Sequence, residues 1–360
     1  MAEAEPLRVA LVLPSSRGGI GQHCLMLARH LVAGGDEVTV AAPEETLERF
    51  DFASAGARVV VDDAGSPVGW LHRIESGAVL RGQQIVHAHG VRVGARLVVA
   101  GIAPLVVTWH NAPLGGLGRR AAHVGLERLS ARAAAVLVAS EDLGDRARRA
   151  GASDVRFCPV AAPALAATMP TVTGVPQPDQ LDERPVILAV ARLHRQKRLD
   201  LLVSAAAGWS KLPVQPRIVV AGDGPERGRL TALARRLGVP LELLGHREDI
   251  ATLLSQATVL VLPSDWEARP LVVQEALRAG VPVVATAVGG VPGLVADAAL
   301  LVPRGDAVAL RTAIERVLTE ADLRRRLCAA GPKQARTWPS EAEMVTAVRQ
   351  TYLEVKSRVS

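Results

Sequence analysis

Short apolar runs alternate with amphipathic stretches along almost the whole chain. Residues 7–13, Leu-Arg-Val-Ala-Leu-Val-Leu, end at Pro14 and a glycine-rich turn; a helical pattern follows over 22–32, closed by Gly34 and Gly35, and then a β-rich run at 37–41. The strands are apolar nearly throughout, which is the pattern of a parallel sheet covered on both faces. The same rhythm predicts strands at 57–61, 84–88, 104–109, 135–139 and 155–158, with helices at 119–133 and 142–150. Around 162–184 the alternation stops, and Pro163, Pro170, Pro176 and Pro178 punctuate a polar stretch that reads as a linker. It then restarts, predicting strands at 186–190, 216–221, 241–244, 258–262 and 282–285 and helices at 199–207, 226–237, 248–256 and 271–279. After 306 the chain is helical and charged to its end.

This pattern divides the chain into an N-terminal Rossmann-like α/β domain (1–165), a Pro-rich linker (166–184), a second Rossmann-like domain (185–340) and a closing helix (341–360) expected to pack back on the first domain. Two doubly wound units in succession place a ligand cleft between the carboxyl ends of two sheets.

Composition narrows the functional classes. The chain has 360 residues, 49% of them hydrophobic, which excludes global disorder, and aromatics at 2% argue against a stacking platform for single-stranded nucleic acid. Lys and Arg total 42 against 36 acids, but only four are lysines and the arginines are spread along helices rather than gathered in a patch. No nucleic-acid partner is expected; an anionic small ligand or a membrane surface fits this charge. Cys24, Cys158 and Cys328 have neither paired nor metal-like spacing, which suits a reducing cytoplasm. No apolar run reaches the ~18 residues of a membrane span. The predicted location is cytoplasmic, with peripheral contact to the inner face of a membrane an open option. Arg119, Arg120, Arg128 and Arg132, opposite Leu126, Leu129 and Val136, would supply such a contact, although an ordinary core-facing helix explains them as well.

Candidate chemistry sits in the loops after strands. Gly18, Gly19 and Gly21 lie between the first strand and first helix, where glycines let backbone N–H groups approach an anion; Cys24 stands where a dinucleotide fingerprint would have its third glycine. Arg192 and Lys197 flank a short loop at the end of the strand at 186–190, a placement suited to the growing charge of a departing diphosphate. Gly222-Asp223-Gly224-Pro225 forms a second glycine turn. Then Glu267 lies in a loop and Glu275 on the following helix, which Pro270 opens and Gly280 closes; a carboxylate there can accept two hydrogen bonds from sugar hydroxyls. Trp266 adjoins Glu267, whereas Trp70 and Trp109 read as core. His87 and His89, at strand spacing, with His110 offer imidazoles for a metal, but no acidic or cysteine partner accompanies them. His110 reads as a cleft residue and the other two as cleft lining or hydrogen-bonded core, and with no Asp-x-Asp motif no metal or other cofactor is expected.

Arg192…Lys197, Gly222-Asp223-Gly224-Pro225, Glu267-x7-Glu275 and the run from Ala279 through Thr286 to Pro292 together resemble the signature series of retaining glycosyltransferases of family 4. The resemblance runs the length of the chain, including the Gly18-Gly19 loop and Thr108-Trp109-His110, and is most specific in the C-terminal half. It implies a GT-B fold, two doubly wound domains facing each other across a cleft. It further implies that Gly18, Gly19 and Gly21 cradle the donor diphosphate, and that Arg192 and Lys197 grip it from the other domain. Glu275 would bind the nucleotide ribose, Glu267 the donor sugar, and His110 would face the transferred sugar. His246 and Arg247 would lie where the backbone meets the base, with Gly222, Asp223, Gly224, Arg269, Pro270 and Leu271 completing the donor contacts. The sequence departs from the family at Ala268-Arg269, where Gly-Phe is frequent, and at Gly293, where Glu is common.

The resulting expectation is metal-independent, front-face transfer from a UDP- or GDP-linked sugar to a hydroxyl of a glycan, glycolipid or small molecule, as in cell-envelope glycan or glycolipid synthesis. An NAD-dependent oxidoreductase, resting on the first glycine loop alone, and a non-catalytic nucleotide-sugar-binding protein of the same fold are the alternatives.

Overall fold

The computed structural model describes residues 5–16, 18–62, 79–112, 117–161, 184–211 and 214–358. Trp70 and nearly all of the Pro-rich 166–184 stretch lie outside these residues, as do the side chains of Arg119 and Arg120. The chain separates into two units, one formed by Met1–Pro163 with Pro339–Ser360, the other by Ala164–Trp338.

In the first unit the strands are β1 (Arg8–Val12), β2 (Glu37–Ala42), β3 (Arg58–Val61), β4 (Ile85–His89), β5 (Leu105–Trp109), β6 (Ala135–Val138) and β7 (Val155–Phe157). All pair in parallel, in the order β3-β2-β1-β4-β5-β6-β7. The second unit holds β8 (Val186–Val190), β9 (Arg217–Ala221), β10 (Leu241–Gly245), β11 (Val259–Leu262), β12 (Val283–Thr286) and β13 (Leu300–Val302), again all parallel, in the order β10-β9-β8-β11-β12-β13. In each sheet the winding reverses once, between β1 and β4 and between β8 and β11. Loops leaving the two central strands there diverge to opposite faces, opening a crevice at the carboxyl edge in which doubly wound proteins bind ligands.

Several local expectations shift. The first helix is Gly19–Ala33 rather than 22–32, so Gly19 and Gly21 belong to its first turn and Gly18 is its N-cap. The helix expected to carry Arg132 and Val136 on its faces stops at Ser130. Arg132 lies in the turn that follows and Val136 in β6. The apolar 281–303 stretch is β12, a short helix Val291–Val295 and β13, and no described helix is long and apolar enough to cross a membrane.

The helix Glu341–Ser357 belongs to the first unit although it ends the chain. A capping box of Ser340 and Glu343 starts it. Met344, Val345, Val348, Tyr352 and Val355 then bury in the same core as Leu7, Leu11, Leu27 and Leu31. Two polar contacts fix its register. The Tyr352 hydroxyl meets His87 Nδ1 at 2.7 Å. The Arg349 guanidinium donates to both carboxylate oxygens of Asp36 at 2.9 Å, and Asp36, whose side chain is fully buried, also accepts the Leu7 N–H. Removing the cation leaves a buried carboxylate with one donor. Arg349→Ala should therefore destabilise the first unit by about 2–3 kcal/mol in urea unfolding; a loss under about 0.5 kcal/mol, as for an ordinary surface site, would contradict this.

Candidate functional site

The second unit gathers most of the predicted residues at its switch point. After β8 the chain runs through Arg192 to a 3-10 turn, Arg195–Lys197, and Arg198 takes the left-handed conformation (φ 48°) that turns it into the helix Leu199–Ala206. This loop lies against the turn after β9. Leu193 N–H donates to Asp223 O at 2.9 Å, and Glu226 N–H to Leu193 O at 3.1 Å. So close a fit needs glycine. Gly222 and Gly224 have φ of +144° and +155°, and a Cβ on them would come within 2.0 Å of Ala191 O and 2.4 Å of Leu193 O.

The loop after β11 joins the same cluster. Lys197 Nζ donates to Glu267 Oε1 at 2.6 Å, and Ser264 Oγ donates to the same oxygen at 2.6 Å. Glu267 is buried (7% exposed), and its Oε2 accepts nothing from the described residues. Around this pair Gln196 Nε2 donates to Trp266 O, Asp265 N–H donates to Gln196 O, and Arg198 and Arg304 both pair with Asp265. Ser264 and Asp265, unremarked in the sequence, are therefore the pins of the site. Their signal was adjacency to Glu267, with no residue pattern of their own.

Arg192 is exposed and pairs with no carboxylate among the described residues, leaving its fork available to an anion. Glu275, on the helix Leu271–Arg278, accepts no side-chain hydrogen bond there either. Burial pushes its carboxyl up, with Arg278 opposing, a combination typical of functional carboxylates. Pro270 immediately precedes that helix, and Leu271 is its first residue. His246 and Arg247 follow β10, exposed, with Arg247 paired to Asp249. Arg269 turns to Trp338, 5.5 Å from the ring centre, and burial followed by repulsion from Arg278 lowers it to about 10.

The first unit carries the other predicted residues. Gly18 and Gly19 begin the first helix, but the Gly21 N–H is taken by Ser16 Oγ at 2.9 Å, and its Cα packs against the Phe50 ring, where a Cβ would come within 2.1 Å. The dinucleotide reading loses a phosphate donor there. His110, just after β5, is buried, with Nε2 3.0 Å from His89 Nδ1. His87 is hydrogen-bonded at both ring nitrogens, to the Tyr352 hydroxyl and to Thr108 Oγ1. The third imidazole beside His89 and His110 is His23, on the first helix. Sequence reading passed over it because it lies 66 residues from His89 and shares no motif with it.

A family model described as glycosyl transferases group 1 matches residues 175–334, and one described as glycosyl transferase 4-like domain matches residues 18–163. The two parts of the chain thus each match a glycosyl transferase domain. It is similar to the alpha-D-kanosaminyltransferase of Streptomyces kanamyceticus, 33% identical over 41% of this chain and 40% of that protein. Against the D-inositol 3-phosphate glycosyltransferase of Thermobifida fusca it is 34% identical over 45% of this chain and 41% of that one. The matches thus span less than half the length of these curated relatives. Among solved structures, a sucrose-phosphate synthase from Thermosynechococcus elongatus superposes with a TM-score of 0.77 (22% identity, 98% of this chain and 100% of that one). HepE from Anabaena, solved with UDP and glucose, gives 0.79 (19% identity, 96% and 99%). The two parallel-sheet units are those of the GT-B glycosyltransferase fold.

The imidazoles of the first unit make its stability depend on pH. Burial lowers His23 to about 4 and, with help from His23, His87 to about 3; His89 and His110 are also pushed well down by burial and by neighbouring imidazoles. In the unfolded chain each titrates near 6.5. Below that pH the unfolded state takes up protons that the folded state refuses, so stability is full above about 6.5 and falls as pH drops toward these lowered values. His23 and His87 alone should remove about 3 kcal/mol between pH 8 and pH 5.5, read as a lower urea midpoint for the first unit. Equal midpoints would show that these side chains are solvated.

Proposed function

We propose that this protein is a retaining glycosyltransferase that moves a sugar from a UDP- or GDP-linked donor to a hydroxyl of a glycan, glycolipid or small-molecule acceptor. The observation that carries this reading is the second-unit cluster: an exposed Arg192, paired with no carboxylate among the described residues, in the same loop as a Lys197–Glu267 pair at the switch point of a parallel sheet. The HepE structure contains UDP and glucose, and a relative from Mycobacterium tuberculosis is named as GDP-mannose-dependent, so either base is retained for this chain.

In this reading the C–O bond between the anomeric carbon and the diphosphate breaks, and a bond to the acceptor oxygen forms on the same face of the sugar. The leaving phosphate oxygen takes the acceptor proton, so the protein supplies no separate base. Its task is positioning and charge stabilisation. Arg192 provides a fork of donors and Lys197 a point charge for the electron pair arriving on the diphosphate. Glu267, its Oε1 already held by Lys197 and Ser264, offers Oε2 to a sugar hydroxyl. Glu275 accepts from the ribose hydroxyls, and His110 faces the transferred sugar. The chemistry asks for no metal or organic cofactor, and the protein acts in the cytoplasm.

A donor screen tests the reading. UDP or GDP should raise the melting temperature and NAD should not, and the matching sugar nucleotide should be transferred or hydrolysed. Arg192→Ala should keep its fold, because this side chain is exposed and pairs with no carboxylate among the described residues, yet lose about 100-fold or more in kcat, the scale for deleting one charge-stabilising donor. Nucleotide binding without turnover would favour the binding-only alternative, and near-normal turnover in Arg192→Ala would remove that residue from the mechanism.

A further inference from the structure

The first unit contains a group of side chains that the transfer chemistry does not use as a set. His89 is the last residue of β4, His110 follows β5 directly, and His23 stands on the first helix after β1. These strands are neighbours at the sheet's switch point, so three chain segments bring their imidazoles to one place. The rings of His23 lie 5.6 Å and 5.5 Å, centre to centre, from those of His89 and His110, and each residue presents a ring nitrogen within 4.8 Å of the other two.

Two features point to a ligand beyond mutual packing. His23 Nδ1 is a buried polar atom with no hydrogen-bond partner among the described residues; His89 Nε2 is another, although the His89 nitrogen that meets His110 is Nδ1. Such atoms are rare in folded proteins, because each forfeits its hydration without replacement. Secondly, the convergence is tight: the three imidazoles each offer a ring nitrogen, all within 4.8 Å of one another, a span that one ion can bridge after a small side-chain movement. His87 stacks on His89 at 4.2 Å but has both nitrogens engaged, so it is a wall of the group and not a fourth donor.

We propose that His23, His89 and His110 form a binding site for one divalent transition metal ion, of which Zn2+ is the fitting example. Three imidazole nitrogens with no carboxylate suit zinc, cobalt, nickel or copper and disfavour magnesium and calcium. Metal–nitrogen bonds of about 2.0–2.1 Å in a tetrahedral set put donor atoms about 3.3 Å apart. His89 Nδ1 and His110 Nε2 stand at 3.0 Å already, and the set lies within 4.8 Å, so His23 closes it with a side-chain shift of up to about 1.5 Å. The fourth position stays open to water or an anion. A bound ion engages His110, so it withdraws that imidazole from the sugar and inhibits transfer. This consequence rests on the transferase reading; the binding itself does not.

The test uses the full-length chain, stripped with a chelator and titrated with Co2+ and Zn2+. One equivalent of Co2+ should bind with the visible absorption of a four-coordinate ion, Zn2+ should displace it, and Zn2+ should raise the melting temperature. His23→Gln, checked for a native circular-dichroism spectrum, should weaken binding by at least about tenfold, since even partners that only hydrogen-bond a ligand carry that much. His30→Gln and His194→Gln, which lie elsewhere, should bind as the unaltered chain does. Absence of a tight equivalent in the unaltered chain overturns the site whatever the variants do, and so does equal binding in His23→Gln. Binding without loss of transfer leaves the site standing and overturns the part given to His110.

Discussion

The candidate site of the second unit depends on one largely buried ion pair, Lys197 (side chain 22% exposed) with Glu267. Taking both charges out of water costs several kcal/mol, and their attraction offsets this only where the remaining polar atoms are satisfied. Here Ser264 Oγ shares the same carboxylate oxygen, Thr286 Oγ1 in turn holds Ser264 O at 2.6 Å, and the Gly290 N–H holds Glu267 O at 2.9 Å. The pair therefore locks together the loop after β8, the loop after β11 and the start of the Val291–Val295 helix. A site assembled in this way needs little reorganisation when a charged ligand arrives, which is where electrostatic preorganisation derives its effect.

The first unit meets a different constraint. Its sheet runs central strands through a core in which imidazoles replace aliphatic side chains, and the helix Glu341–Ser357 is tied to that core by Tyr352 on His87 and by Arg349 on Asp36. Burying polar groups is tolerable only with partners. His87 has them, whereas His23 Nδ1 and His89 Nε2 find none among the described residues, so the cost of the arrangement is concentrated on those two nitrogens. Core and site are the same atoms in this unit.

Much of the architecture was legible because hydrophobic period and loop chemistry agreed. Continuous apolar runs marked β1, β4, β5, β8, β11 and β12 as strands of parallel sheets, and glycine turns marked the β1 and β9 loops. Short elements escaped: the helices Glu44–Arg49 and Val291–Val295 and the strand β13 are too brief to show a period. The first helix starts three residues early because glycine, a poor helix former in isolation, is tolerated in a first turn whose N–H groups need no intrahelical partner. The signature residues of the second unit carried their own spacing, yet their pairing did not show: Lys197 and Glu267 are 70 residues apart and only the fold makes them neighbours. Arg269 reads as a donor contact in sequence, and its stacking over Trp338 in the fold left no mark there. His23 was hidden for the same reason, since convergence of loops from separate strands leaves no local pattern.

A double-mutant cycle on Lys197→Met and Glu267→Gln, read as transfer or hydrolysis of the donor sugar nucleotide, measures how far the ion pair acts as one unit. If the two residues act as one prebuilt unit, each single substitution lowers kcat by about 100-fold or more and the double substitution lowers it little further. Losses that multiply in the double variant would show independent roles and contradict the account.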